Sequence, residues 1–280
     1  MAIMTKSSFI LFFFLTIACG QPAVNYPWLD KDYSTDYYRI SDIPLPEGYE
    51  RLEYSIDSFQ HWLSYLPLKQ NDAKVHLFDH MLKSNQDAHY QIIDIDVGDR
   101  DLQQCADAII RLYAEYLYSL GKYDDISFNF TSGDKALFKD WMNGLRPIVT
   151  NNQVTWEKQA ADDISYKNFR SYLNTVFTYC GSYSLAKEMN EVNNITELQI
   201  GDVFLQGGFP GHGVIVVDMA VNLLSAEKIF MIAQSYMPAQ EIHILKNPEN
   251  KSMSPWYKIN TFDKLYTPEW TFNWKDLKRF

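Results

Sequence analysis

Three side chains in this 280-residue chain have the types and surroundings that nucleophilic catalysis requires. Cys105 opens the helical run CADAIIRLYAEYLYSL, His212 stands between two glycines just before VIVV, and Gln234 ends the apolar run KIFMIAQ. A cysteine attacks a carbonyl carbon when a neighbouring imidazole takes its proton and a third polar group holds that imidazole in one tautomer. These residues predict cysteine chemistry if the fold brings them together.

A helix is expected to position the cysteine. The pattern from Asp101 to Lys122 places apolar residues on one face, with Asp101 as the N-cap, so that Cys105 falls in the first turn. Unpaired N–H groups and the helix dipole favour a thiolate there, and with an imidazole beside it we expect a thiol pKa well below the free value of about 8.5. The backbone N–H of Cys105 and the side chains of Gln103 and Gln104 are expected to donate to an oxyanion.

A β-hairpin is expected to position the other two residues. The runs GVIVVD and KIFMIAQ predict antiparallel strands whose turn is centred near Leu223. That turn places Val216 opposite Phe230 and His212 opposite Gln234. Opposed side chains project from the same face about 5 Å apart, so the amide of Gln234 is expected to orient the imidazole.

Less reactive roles for the same residues stay open. A cysteine on an apolar helix face is often a small buried hydrophobe, and in an exported protein Cys105 also suits a disulfide with Cys180. His212 also suits a strand-edge role, bonded to the preceding loop, and Gln234 also suits a plain strand end. The acidic run from Asp94 to Asp101 lacks the glutamate of a calcium loop, and we predict no metal or cofactor site.

The N-terminus has the pattern of an export signal. Within residues 1–18, Lys6 precedes an apolar run from Phe9 to Ala18. Cys19 follows directly and resembles the lipidated cysteine of a bacterial lipobox. That resemblance implies a mature protein that begins at Cys19 and is anchored to a membrane of the cell envelope, with residues 19–47 as lipid anchor and tether.

Composition bounds the remainder of the chain. With 46% hydrophobic and 15% aromatic residues, residues 48–280 are long enough and apolar enough for a single domain, which would carry an aromatic-rich C-terminal extension. Trp256, Trp270 and Trp274 in that extension suit packing better than a sugar platform. The net charge of -10, without a cluster of basic residues, argues against nucleic acid as a partner.

The order of these motifs resembles that of the NlpC-type papain-like peptidases of bacterial cell walls. The shared order is a cysteine that opens a helix, a Gly-Asp-Val strand at Gly201, a glycine-flanked histidine and a polar residue on the next strand. The resemblance implies an α+β papain-like domain whose cysteine helix packs on a mostly antiparallel sheet. It also implies Cys105 as nucleophile, His212 as base, Gln234 as orienting residue, and peptidoglycan stem peptides as substrate.

Two alternatives follow from the same resemblance. The cysteine helix followed by the strand ISFNF is also similar to transglutaminase-like domains, which implies acyl transfer. A catalytically inactive papain-like module would bind cell-wall peptide or glycan without cleaving it. A free, reactive Cys105 would separate an enzyme from such a binding module.

Longer segments resemble one family in particular. QQCADAIIRL, GDVFLQGGFPGHGVIVVD and AQSYMPAQEIHILKNP are similar to an uncharacterised family of bacterial lipoproteins, the domain of unknown function 4846. The resemblance covers most of the mature chain and implies an envelope location. It implies no activity, so the chemistry depends on the residues themselves.

Overall fold

The computed structural model describes residues 24–29, 38–259 and 264–280. The predicted export signal and the lipidation site at Cys19 lie outside these residues. Within the described ranges, no helix is both long enough and apolar enough to cross a membrane.

The described residues alternate between short helices and strands. The helices are α1 (Phe59–Ser64), α2 (Cys105–Ser119), α3 (Phe138–Met142), α4 (Tyr166–Tyr179) and α5 (Ser182–Glu188). The strands are β1 (Tyr49–Arg51), β2 (His89–Ile92), β3 (Ser127–Asn129), β4 (Lys135–Leu137), β5 (Leu145–Thr150), β6 (Gln153–Lys158), β7 (Asn190–Glu191), β8 (Val203–Gln206), β9 (His212–Asn222), β10 (Lys228–Gln234), β11 (His243–Leu245), β12 (Tyr257–Lys258), β13 (Lys264–Tyr266), β14 (Thr271–Asn273) and β15 (Leu277–Arg279).

A nine-stranded antiparallel sheet organises the domain. Its order is β2-β11-β10-β9-β8-β15-β7, with β1 also paired to β9 and β12 also paired to β10. The central strands β9 and β10 are buried along almost their whole length, because Val, Ile, Phe and Met occupy both of their faces. The hairpins β3–β4, β5–β6 and β13–β14 are separate two-stranded sheets.

Helix α2 packs against the start of β9. A Cβ atom added at Gly213 would lie 2.8 Å from Cδ1 of Ile109 and 2.9 Å from Cδ1 of Leu205. Only a glycine therefore fits between the helix and the strand without displacing a neighbour. Ile109 lies one turn after Cys105, so this close approach sets the start of the helix beside the start of the strand.

The helix begins later than the sequence predicts. It runs over Cys105–Ser119, and its N-cap is Gln104 rather than Asp101. Asp101 instead accepts hydrogen bonds from the backbone N–H of Ala239 at 2.7 Å and from Nε2 of Gln104 at 3.0 Å. The prediction that Cys105 lies in the first turn is confirmed.

The central hairpin has a different register from the predicted one. Val216 pairs with Ile232, and Phe230 pairs with Met219, so the predicted pairing of Val216 with Phe230 is wrong. The register shifts at a bulge between Met231 and Ile232, where strand β9 carries an additional residue. Such a bulge leaves no signature in the alternation of apolar residues.

Both ends of the described chain belong to the folded core. The predicted tether spans residues 19–47, yet Tyr26 donates to the backbone carbonyl of Trp62 at 2.9 Å, and Ile40 and Ile43 are buried. Burial of these apolar groups stabilises their packing on the domain. At the other end, β15 pairs with β8 and β7, so the predicted C-terminal extension completes the main sheet.

Candidate functional site

His212 and Gln234 are in direct contact at one end of the sheet. The Nε2 atom of His212 lies 2.7 Å from Oε1 of Gln234, and the two residues are 1% and 2% exposed. Because Ala233 pairs with Ile215, Gln234 lies opposite the residue two positions after His212. The side chain of Gln234 therefore contacts that of His212 diagonally across the two strands. A shift of two residues keeps both side chains on one face, which is why the contact forms in spite of the wrong register.

The orientation of the Gln234 amide fixes the tautomer of His212. Nε2 of Gln234 donates to Oε2 of Glu269 at 2.7 Å, and an ionised carboxylate can only accept. The amide oxygen must therefore face His212 and accept from its Nε2–H. Nδ1 of His212 keeps the lone pair that a general base needs.

A second buried histidine supports the same amide. Nδ1 of His243 is 2.8 Å from the backbone oxygen of Glu241, so it must be the donor, and Nε2 must be the acceptor. That acceptor lies 3.5 Å from Nε2 of Gln234 and 3.4 Å from Nζ of Lys83. Burial, assisted by the Lys83 cation, lowers the pKa of His243 to about 3 and keeps it neutral.

Cys105 lies beside the start of β9, where its sulfur contacts the backbone of Gly213, the residue after His212. As the first residue of α2, it has the N–H groups of Ala106 and, across on β9, of Gly213 directed at its sulfur. The phenol of Tyr236 interacts electrostatically with the sulfur, and its ring centroid is 4.6 Å from that of His212. Among the described residues, however, no hydrogen bond joins the sulfur of Cys105 to the imidazole.

Both cysteines in the described part of the chain are free thiols. Cys105 remains partly exposed, and the Sγ atom of Cys180 donates to the backbone oxygen of Asn129 at 3.2 Å. The alternative of a disulfide between Cys105 and Cys180 is therefore not what the structure shows.

The protonation states differ from the expectation of an activated thiolate. Burial, with a smaller contribution from the Asp107 carboxylate, raises the pKa of the Cys105 thiol to about 11, although nearby backbone N–H groups oppose the change. Burial also lowers the pKa of His212 to about 4. The expected fall in the thiol pKa is therefore wrong for the resting site, because protein atoms displace the water that would stabilise the thiolate.

Gln104 is not positioned as an oxyanion donor. Its Nε2 donates to Asp101 at 3.0 Å, so the side chain serves the loop before the helix. In Gln103, Oε1 accepts from Arg111 at 2.7 Å, while Nε2 is buried and has no partner. Of the two glutamines, Gln103 is the one with an unused donor.

The acidic run before α2 has a structural role. Asp96 accepts from Arg111 at 2.9 Å and from Arg170 at 3.2 Å, which lowers the pKa of Asp96 even though burial opposes the change. Within the described residues, no group of three or more His, Cys, Asp or Glu side chains could hold a metal ion.

Sequence reasoning missed Lys83, His243 and Glu269. An imidazole in the apolar run EIHIL was a usable signal, because a buried histidine needs partners on both nitrogens. Lys83 and Glu269 had no such signal, since their local sequences are irregular. Trp270 and Phe272, from the aromatic C-terminal segment, pack around the imidazole of His212 with centroid distances of 5.3 Å and 5.8 Å.

Comparisons with known proteins identify a family and nothing closer. The model of the domain of unknown function (4846) matches residues 40–279, which is most of the chain. No curated protein matches the chain, and no solved structure matches it.

Proposed function

The chain belongs to the family of the domain of unknown function (4846), and from that premise we propose that it is a cysteine hydrolase of the bacterial cell envelope that cleaves an amide bond. One observation carries this proposal: Oε1 of the fixed Gln234 amide accepts from His212, which keeps the imidazole proton on Nε2 and leaves the base nitrogen Nδ1 unprotonated. Cys105, the first residue of α2, lies against the backbone N–H of Gly213, the residue after His212.

The resting pair is neutral, so the proton moves during the attack rather than before it. As the sulfur of Cys105 bonds to the substrate carbonyl carbon, Nδ1 of His212 accepts the thiol proton. The imidazolium then gives that proton to the leaving amine, and a thioester remains. A water molecule, deprotonated by the same imidazole, hydrolyses the thioester and restores the thiol. The N–H groups at the start of α2 stabilise the oxyanion in both steps.

Peptidoglycan stem peptide is the substrate class that we propose, by analogy with the NlpC-type peptidases and their papain-like fold. Phe209, in the loop before His212, is 97% exposed and is available to an apolar part of the substrate.

Digestion of purified peptidoglycan tests the proposal. The wild-type protein is expected to release new amino groups and shorter stem peptides, detected by mass spectrometry. Cys105→Ser and His212→Ala should each abolish release, because neither leaves a complete nucleophile–base pair. Cys180→Ser is the matched control and should retain it. Full activity in Cys105→Ser, or no release by the wild type, would contradict the proposal.

A catalytically inactive binding module is the second candidate. The thiol pKa of about 11 and the missing hydrogen bond between the sulfur and the imidazole favour it. Such a module would bind peptidoglycan equally well as wild type and as Cys105→Ser, and it would release no product. Sedimentation of each protein with insoluble peptidoglycan, read beside the digestion assay, distinguishes the two candidates.

The envelope location is part of the same proposal. If Cys19 is lipidated, the mature protein begins at Cys19 and partitions with membranes, and Cys19→Ala releases it to the soluble fraction. A mature N-terminus elsewhere, found by mass spectrometry, would contradict the anchor and leave the proposed chemistry intact.

A further inference from the structure

We propose that Lys83 and Glu269 form a positioning pair, which holds His212 in its base-competent tautomer through the amide of Gln234. The catalytic consequence of this inference rests on the proposed function, but the tautomer itself is measurable without any activity. Neither residue touches Cys105 or His212 through a hydrogen bond, so both would act through Gln234.

The pair is delivered by two distant segments. Glu269 lies in the turn of the β13–β14 hairpin, which Thr267 closes by donating its backbone N–H to the oxygen of Trp270 at 2.9 Å. Nε1 of Trp270 donates to Oε1 of Gln206 at 3.0 Å and fixes the hairpin to β8. Lys83 comes from the loop before β2. The carboxylate of Glu269 therefore reaches the end of the main sheet from a hairpin outside that sheet.

Glu269 is saturated by donors. Its Oε2 accepts from Nζ of Lys83 at 2.5 Å and from Nε2 of Gln234 at 2.7 Å, and its Oε1 accepts from Nδ2 of Asn85 at 3.1 Å. Lys83 is buried, so its charge requires this carboxylate. The two contacts share one atom, because Lys83 and Gln234 donate to the same oxygen of Glu269.

A reversed Gln234 amide would lose its contacts with Glu269 and His243 and would change the tautomer of His212. Its oxygen would face the carboxylate of Glu269 and the acceptor nitrogen of His243, and both contacts would be repulsive. Its NH₂ group would face Nε2 of His212 and force the proton onto Nδ1. That tautomer cannot accept the proton of Cys105. The acceptors around Gln234 therefore select the base-competent form of the histidine.

A purely stabilising role explains the ion pair less well. Buried ion pairs contribute little net stability compared with apolar residues of similar volume. The protein also contains a comparison: Lys69, whose side chain is 35% exposed, pairs with Glu241 at 2.5 Å, and no hydrogen bond joins either side chain to Gln234 or His212. Replacement of each pair by apolar residues separates positioning from stability.

The first measurement is the tautomer of His212, read from ¹⁵N chemical shifts of histidine-labelled protein. Wild type is expected to carry the proton on Nε2. The double variant Lys83→Met/Glu269→Leu should show a mixture of tautomers, because only His243 still accepts from the Gln234 amide. Glu269→Gln should keep the wild-type tautomer, since its amide oxygen still accepts from Gln234. The control Lys69→Met/Glu241→Leu should leave the signal unchanged.

The second measurement is the rate of peptidoglycan digestion by the same variants. Lys83→Met/Glu269→Leu should lower kcat by about 10- to 100-fold with little change in KM, because a misplaced base slows the chemical step without removing a binding contact. A variant that keeps the Nε2–H tautomer and the wild-type rate would overturn the proposal, and so would a Glu269→Gln variant that behaves like the apolar one. A tautomer shift in Lys83→Met/Glu269→Leu, together with a wild type that digests nothing, would support the positioning pair and refute the proposed function.

Discussion

The resting thiol of Cys105 is expected to react slowly at neutral pH. With a pKa of about 11, roughly 1 thiol in 3,000 is ionised at about pH 7.5, compared with about 1 in 10 for an unperturbed cysteine. The deficit of about 300-fold is partly offset, because a more basic thiolate is about tenfold more nucleophilic over this difference in pKa. Alkylation should therefore be about 20- to 30-fold slower than that of an exposed cysteine.

The assay is alkylation by iodoacetamide, followed across the pH range by peptide mapping of Cys105. The logarithm of the rate should rise steadily with pH through the neutral range, without a plateau, and Cys180→Ser removes the competing thiol. A plateau across the neutral range would reveal a thiolate–imidazolium pair already formed in the resting site, in which neither group has the pKa that burial gives it. That result would refute the argument from burial and restore the expectation drawn from the sequence.

His212→Ala sharpens the same experiment. Because the imidazole is neutral and makes no hydrogen bond to the sulfur among the described residues, its removal should leave the alkylation profile nearly unchanged. The variant should still lose peptidoglycan digestion, since it lacks the base. A large fall in the alkylation rate at neutral pH would instead show that His212 ionises the thiol before substrate binds.

Three further predictions concern stability. Burial raises the pKa of Asp218 to about 6, although Arg51 opposes the change, so the folded state holds this proton more tightly than the unfolded chain. The contribution of Asp218 to the free energy of unfolding should fall by up to about 3 kcal/mol as the pH rises from about 4 to about 6, measured in urea titrations as the difference between wild type and Asp218→Asn. The pKa of His243 is lowered to about 3, so its contribution to the free energy of unfolding changes with pH in the opposite direction. That contribution is complete above about pH 6.5 and decreases by about 3 kcal/mol as the pH falls to about 4, and His243→Gln should abolish this decrease. Gly213→Ala should destabilise by about 1–3 kcal/mol through overlap with Ile109, measured as a lower Tm, while Gly181→Ala, which meets open space, should be nearly neutral.

The sequence was sufficient for the local elements that carry the site. Continuous apolar runs identified both strands of the central hairpin, and helical periodicity identified α2 with Cys105 in its first turn. The contact between His212 and Gln234 followed because a shift of two residues preserves the face of a strand. The register itself could not be predicted, because a bulge changes the pairing without changing the apolar pattern.

Long-range contacts explain what the sequence did not predict. Glu269 follows Gln234 by 35 positions and reaches it from a hairpin outside the main sheet. Lys83 comes from an irregular loop that precedes Gln234 in the sequence, whereas Glu269 follows it. The raised pKa of the Cys105 thiol was missed for a related reason, since the helix dipole is a local property whereas desolvation depends on everything packed around Cys105.

Burial of polar groups does not by itself identify the site, because the domain contains a second buried network. Arg111, a buried residue of α2, pairs with Glu115 at 2.8 Å and with Asp96 at 2.9 Å and donates to Gln103. That network cross-links the helix to the loop before it and, through Asp96 and Arg170, to α4. The network around Gln234 differs in what it controls: its donors and acceptors determine which nitrogen of His212 carries a proton, next to a partly exposed thiol. A packing role would be satisfied by either tautomer, so the selection of one tautomer is the feature that favours catalysis.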